Sequence, residues 1–148
     1  MLASIFQQVY KRDLKKLVHE IESYNDENNL WKVQHQISNS AGNLCLHIIG
    51  NLNTYIGLTL GNIPYERKRD LEFSQKDIAR EILVKKIYET IQLVETGLSN
   101  LPDEKFSEEY PIKIWEDHAS IHTTLLNLAT HLNYHLGQIN YHRRMIDV

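Results

Sequence analysis

The chain has 148 residues, 42% hydrophobic and 24% charged, with a formal net charge of -3. This length fits a single domain over residues 1–148 with one core, and the balanced charge argues against a nucleic-acid partner. The one cysteine, Cys45, cannot form an internal disulfide, and the first residues do not resemble a signal peptide. No apolar run approaches the roughly 18 residues of a membrane span. We therefore expect a cytoplasmic protein without a membrane partner.

Apolar residues recur at three- and four-residue spacing in four segments, which is typical of amphipathic helices. The first predicted helix runs from about residue 2 to about residue 25 and ends in the sequence NDENN. An irregular link covers residues 31–40. A second helix covers about residues 40–60 and ends at the Gly-Asn-Ile-Pro sequence of residues 61–64.

The second half of the chain predicts two further helices. Residues 61–73 are interpreted as a charged loop, and Ser74 with Asp77 forms a near capping box ahead of the third helix. After a connection over residues 106–117, the fourth helix is predicted from about residue 118 to about residue 146. Four long amphipathic segments without convincing strands predict an all-α four-helix bundle.

The fourth predicted helix carries His131 and His135 one turn apart. Two imidazoles at this spacing lie on one side of a helix, so their nitrogens can bind the same metal ion. An open catalytic zinc site takes three protein ligands, and His47 in the second predicted helix is the candidate for the third. The alternative is that these histidines are exposed or hydrogen-bonded structural residues, which is the commoner role of a histidine on a helix.

The other histidines are weaker candidates. His118 and His122 form a second pair at the same spacing, but they fall on the opposite edge of the apolar stripe. His142 shares the face of His131 and His135 but lies roughly 10 Å beyond His135, too far to bind the same ion. Three more residues have no suitably spaced partner and are expected to be structural or surface residues: His19, His35 and Cys45.

The chain resembles the DinB-like superfamily, the DinB and YfiT type of metal-dependent proteins. The resemblance rests on His47 in LCLHIIGNL and on the HxxxH pair of residues 131 and 135, which Gly137, Gln138 and Ile139 follow. It implies an up-up-down-down four-helix bundle and a divalent metal, nickel or zinc, bound by three histidines. It also implies a homodimer.

Such a site suggests a metal-dependent transferase or hydrolase acting on a small molecule. A divalent ion held by three imidazoles activates a bound water or a thiol, and the resemblance implies both outcomes: hydrolases, and transferases that use a low-molecular-weight thiol of the bacillithiol type. Asn51, Tyr134 and Gln138 are predicted to support the metal ligands or contact substrate, although a packed role for Tyr134 is also open. Residues 67–69, Arg-Lys-Arg, either recognise an anionic substrate or form a solvated charged loop. The alternative function is a non-enzymatic dimeric helical protein whose histidines are structural.

Overall fold

The computed structural model describes residues 1–148 and is helical apart from its connections. One isolated antiparallel bridge pairs Glu109 with Ser120, and there is no β-sheet. The sequence-based prediction of an all-α protein is therefore confirmed. None of the helices combines the length and apolar character that a membrane crossing requires. The five α-helices are α1 (Leu2–Glu22), α2 (Ala41–Leu52), α3 (Arg69–Ser74), α4 (Arg80–Ser99) and α5 (Ile121–Ile146).

The four longer helices enclose one hydrophobic core. Helices α1 and α2 each pack against both α4 and α5, and the core cluster of 29 buried residues includes residues of all four as well as a few from the connections. Burial of this continuous apolar surface is the main force that holds the helices together. The arrangement is consistent with a four-helix bundle, and α3 is an additional short helix that packs on α2.

Helix α2 continues beyond its last α-helical turn. Ser40 caps its start by accepting a hydrogen bond from the backbone N–H of Asn43, which is a common N-terminal signal. At its other end the chain widens into a π-helical segment, Asn53–Leu58. Such segments are rare and often occur at functional sites, and this one begins two residues after Asn51.

Buried polar contacts fix how α5 lies against α1. The hydroxyl of Tyr10 donates to the carbonyl of Leu125 at 2.5 Å. Glu20 accepts hydrogen bonds from Asn140 at 2.7 Å and from Arg143 at 2.8 Å. Because these groups are directional, they set the height of α5 along the bundle as well as its rotation.

His142 has a structural role. Its Nδ1 lies 2.6 Å from the Tyr24 hydroxyl, and its Nε2 lies 2.8 Å from the carbonyl oxygen of Lys32. Both nitrogens are thus occupied by hydrogen bonds, and burial lowers the pKa of this imidazole. The ring joins α5 to the end of α1 and to the segment that follows the 3₁₀ helix Glu27–Trp31.

The predicted charged loop is only partly a loop. Residues 69–74 form α3, and Glu72 within it is buried, with 6% of its surface exposed. The interpretation of residues 61–73 as a charged loop was therefore wrong for residues 69–73. The physical reason is that Glu72 is paired with His47 and Arg67, and this pairing offsets the cost of removing its charge from water.

Two predicted helix starts were also wrong. Asp77 has a φ of 58°, in the left-handed region, so it does not form a capping box with Ser74. Instead, the remote carboxylate of Glu27 accepts a hydrogen bond from the first backbone N–H of α4, at Arg80. Helix α5 starts at Ile121, capped by Ser120, because His118 also has a positive φ of 58°.

The buried Tyr24 hydroxyl gives a test of this packing. Replacing Tyr24 with Phe leaves Nδ1 of His142 buried without its donor, so we expect a loss of about 1–3 kcal/mol in the free energy of unfolding. Urea denaturation at neutral pH measures it. The exposed tyrosine Tyr88 on α4 provides the matched control, since Tyr88→Phe removes a hydroxyl that lies in water. Equal effects of the two substitutions would contradict the structural role of His142.

Candidate metal centre

Three histidines from two helices converge on one point. His47 lies on α2, and His131 and His135 lie one turn apart on α5. Nε2 of His131 is 3.3 Å from Nε2 of His47 and 3.0 Å from Nε2 of His135. One nitrogen from each ring lies within 4.8 Å of the other two. The rings are therefore close enough to bind a single metal ion.

These spacings fit a first-row divalent ion. A zinc–nitrogen bond of about 2.0–2.1 Å places two tetrahedral ligands roughly 3.3 Å apart and two ligands at a right angle roughly 2.9 Å apart. The two nitrogen–nitrogen distances from Nε2 of His131, 3.0 and 3.3 Å, lie in this interval. Imidazole binds Zn, Ni, Cu and Fe alike, so the ligand set does not select one metal among them.

Hydrogen bonds on the outer side of two rings orient their nitrogens. Nδ1 of His47 lies 3.0 Å from Oε1 of Glu72, and Nδ1 of His135 lies 2.7 Å from Oε1 of Gln138. A carboxylate only accepts hydrogen bonds, so Nδ1 of His47 carries the proton and Nε2 presents its lone pair to the centre. The amide oxygen of Gln138 assigns the same tautomer to His135. Metal-binding histidines are commonly held in this way.

His131 is the ring that a cation satisfies best. A neutral imidazole has one N–H, so its Nε2 can donate to His47 or to His135 but not to both. Its Nδ1, the nitrogen that does not face the centre, is buried without a hydrogen-bond partner, so, unlike in His47 and His135, no outer hydrogen bond fixes the tautomer of this ring. Burial first, and then the neighbouring His135, His47 and Arg67, lower the pKa of His131 to about 4. The ring is therefore neutral at pH 7 and offers a lone pair, as a metal ligand must.

Glu72 is the functional residue that the sequence reasoning missed. Its carboxylate accepts two hydrogen bonds from the guanidinium of Arg67, at 2.8 and 2.9 Å, in addition to the one from His47. Burial by itself raises the pKa of Glu72, but the hydrogen bonds from His47 and Arg67 outweigh burial and hold it below its usual value. The carboxylate is thus ionised at neutral pH. It fixes the ring of His47 and makes that ring a stronger base.

Helix α2 is shaped to receive Glu72. A Cβ atom at Gly50 would collide with the carboxylate of Glu72, so only glycine leaves room for it. The side chain of Asn43 donates to the carbonyl oxygens of Glu72 and Gln75, at 3.0 and 2.8 Å. Residues 43, 47 and 50 share one face of α2. This spacing of a polar residue, a histidine and a glycine in an apolar helix is the one signal in the sequence that marks the contact.

The other predicted site residues differ in their surroundings. Gln138 contacts His135, as described above. Asn51 is buried and lines a cleft beside His47. Tyr134 packs the edge of its ring near His135, with 5.5 Å between ring centroids, but 66% of its surface is exposed. It is therefore not a packed tyrosine, and its hydroxyl makes no hydrogen bond in the structure.

The residues judged weaker from the sequence lie outside the centre. His118 pairs with Glu109, and Nδ1 of His122 lies 2.5 Å from the carbonyl oxygen of Phe106. Cys45 is fully buried, and burial raises the pKa of its thiol to about 12. His19 and His35 are exposed. Only the group of residues 47, 131 and 135 is close enough together for shared metal binding.

A small cleft gives access to this centre, and we call it the polar cleft. Its volume is about 220 Å³, and it is lined by His47, Asn51, Tyr55, Arg67, Arg69, Ile114, Trp115 and His131. A second cleft of about 400 Å³ lies alongside His135, between α5 and residues 36–39. Molecules of modest size can therefore reach the histidines from two sides.

Comparison with known proteins identifies a family but does not indicate a chemical activity. A family model described as "Protein of unknown function (DUF1572)" matches residues 3–148, a range that includes all three histidines and Glu72. No curated protein matches the chain.

Replacing Gly50 with Ala tests the support that Glu72 gives to His47. The added methyl group displaces the carboxylate, so we expect zinc affinity to fall about 10–100-fold, while alanine preserves the helix. Competition with a chromophoric chelator measures the affinity. Gly137→Ala on α5 is the matched control, because a Cβ there meets nothing within 4 Å. An equal affinity in the two variants would show that Glu72 does not support the site.

Proposed function

The chain belongs to the DUF1572 family, whose function is unknown, and we propose that it is a metal-dependent enzyme acting through His47, His131 and His135. The observation that carries the proposal is the convergence of three Nε2 atoms, two of which are oriented by hydrogen bonds on the far side of their rings. A structural histidine cluster has no need for this common orientation, whereas a metal centre requires it.

The finer assignment is a DinB-like protein with nickel or zinc and a homodimeric assembly. The DinB-like part of this assignment is supported by the placement of His47 on the second long helix and of an HxxxH pair on the last helix, with Gly137 and Gln138 shortly after it. Four long helices around one core agree with this type of fold. The proposed substrate is a small molecule, because the clefts beside the histidines are small.

A divalent ion bound by three neutral imidazoles keeps its full charge and, when bound, lowers the pKa of a water or thiol ligand. The chain's own residues supply the rest. Glu72 and Arg67 hold the ring of His47, and Gln138 holds that of His135. Because each of the three histidines lies on a packed helix, their nitrogens are positioned before a metal ion binds.

The surroundings of the site favour a nucleophile that loses its proton readily. Both oxygens of Glu72 are engaged by His47 and Arg67, so this carboxylate is not free to act as a general base. The lining of the polar cleft includes no carboxylate at all. A thiol has a pKa near 8.5, far below that of water. Transfer of a low-molecular-weight thiol is therefore the first chemistry to test, with hydrolysis as the second.

The metal content of the purified protein tests the proposal directly. Protein prepared without a metal-scavenging tag should contain about one divalent ion per chain, as in other three-histidine centres. Inductively coupled plasma mass spectrometry measures the metal content per chain. Substitution of His131 or His135 by Ala should remove the ion while circular dichroism shows unchanged helix content.

The second HxxxH pair supplies the matched control for this measurement. His118→Ala and His122→Ala remove a pair with the same spacing from the same part of the chain, and they should leave the ion in place. If the triple variant with Ala in place of His47, His131 and His135 keeps its ion, the assignment is wrong. A wild-type protein without stoichiometric metal would favour the non-enzymatic alternative.

Cobalt substitution separates thiol chemistry from hydrolysis. If a small thiol coordinates the ion in the cobalt-loaded protein, a sulfur-to-cobalt charge-transfer band should appear on titration and should be lost in His135→Ala. A screen of small thiols with electrophiles then measures transfer, and ester or amide substrates measure hydrolysis. Turnover of ester or amide substrates, together with no sulfur-to-cobalt band on addition of thiols, would identify a hydrolase.

A further inference from the structure

Asn51 presents an unpaired amide to the polar cleft. It lies one turn after His47 on α2, and only 4% of its surface is exposed. Its side chain makes no hydrogen bond to the chain, although it lines the cleft. Neither of its amide atoms is among the buried side-chain atoms that lack a partner, so the amide opens onto the cleft and its donor and acceptor are available. A bound molecule with complementary hydrogen-bonding groups would pair with both.

Arg69 brings a free positive charge to the same cleft. Its side chain lines the cleft, and it takes part in none of the ion pairs of the chain, which include that of its neighbour Arg67 with Glu72. The guanidinium stacks over the ring of Phe73, 5.4 Å from the centroid, and that ring lies 5.0 Å from the ring of His47. Stacking positions the group while leaving its N–H donors available.

The two arginines of the cleft have different roles. The charge of Arg67 is neutralised by Glu72 through two hydrogen bonds, which serve to orient His47. The charge of Arg69 has no such partner. A guanidinium fork matches the two oxygens of a carboxylate, and a single uncompensated charge suits a monoanion better than a doubly charged phosphate.

We propose that the polar cleft binds a small substrate with a carboxylate, held by Arg69, and an amide, held by Asn51. The side-chain amide of Asn51 offers both a donor and an acceptor, which complement the C=O and N–H of a substrate amide. The ring of Trp115, half exposed, also lines the cleft, and its centroid lies 5.9 Å from that of the His131 ring. This inference deepens the proposed function and rests on it for the role of the molecule as a substrate.

N-acetylglycine, which carries both groups, is the probe, and its neutral analogue N-acetylglycinamide lacks only the charge. Nuclear magnetic resonance follows the side-chain NH₂ of Asn51 and the Nε–H of Arg69 in ¹⁵N-labelled, zinc-loaded protein. N-acetylglycine should shift both signals with saturation. The neutral analogue should shift the Asn51 signal alone and bind on the order of tenfold more weakly, because it lacks the charged hydrogen bond. Absence of saturable binding of N-acetylglycine overturns the proposal.

Two charge-removing substitutions separate a specific contact from a general electrostatic effect. Arg69→Gln should weaken binding of N-acetylglycine on the order of tenfold and abolish its advantage over the neutral analogue. Lys68→Gln removes the same charge from the adjacent residue, which does not line the cleft, and should change the dissociation constant less than twofold. Equal weakening in the two variants overturns the proposal.

The same titration on metal-free protein distinguishes this inference from the proposed function. If the chain binds no metal but N-acetylglycine still depends on Arg69, the metal-dependent function fails and the anion site stands. If zinc binds in full but Arg69→Gln does not change the affinity for N-acetylglycine, the carboxylate binds to the ion or elsewhere. In that case the inference fails while the metal centre stands. Asn51→Ala should weaken the binding of both N-acetylglycine and its neutral analogue.

Discussion

The buried carboxylate of Glu72 is the constraint on which the site depends. An ionised carboxylate inside a protein requires strong partners, and here they are His47 and Arg67. These contacts dock α3 on α2, select the tautomer of His47 and direct its Nε2 towards α5. Gly50 belongs to the same constraint, because a side chain there would displace the carboxylate. One ion-paired cluster thus determines both the local packing and the direction of a ligand.

The other two nitrogens depend on the register of α5. Helix α5 is held against α1 by the hydroxyl of Tyr10 and by the contacts of Glu20, and apolar packing fills the space between them. His131 and His135 are therefore brought to the height of His47 by interactions that lie elsewhere on the helix. Packed helices on both sides give a centre whose geometry does not rely on loops, while loop residues and the exposed Arg69 line part of the cleft beside it.

Helical periodicity explains why part of the site was predictable. His131 and His135 face one side because any helix places residues four apart on one face. His47 could be named only as a candidate third ligand, which the resemblance then supported, since no local rule connects residues 84 positions apart. Glu72 was overlooked because charged residues are mostly exposed, and burial by pairing leaves no trace in the local pattern. The failed capping box at Ser74 has a similar origin: Glu27, distant in sequence, caps α4 instead.

The amino-acid sequence by itself determined the helical class, the existence of the four long helices and the shared face of His131 and His135. These properties follow from short-range periodicity and from the scarcity of strand signals. Tertiary structure alone decided that His47 meets the pair, that Glu72 is buried against it, and that Asn51 and Arg69 share a cleft. Each of these depends on contacts between segments far apart in the chain, whose energies exist only once the core has brought the helices together.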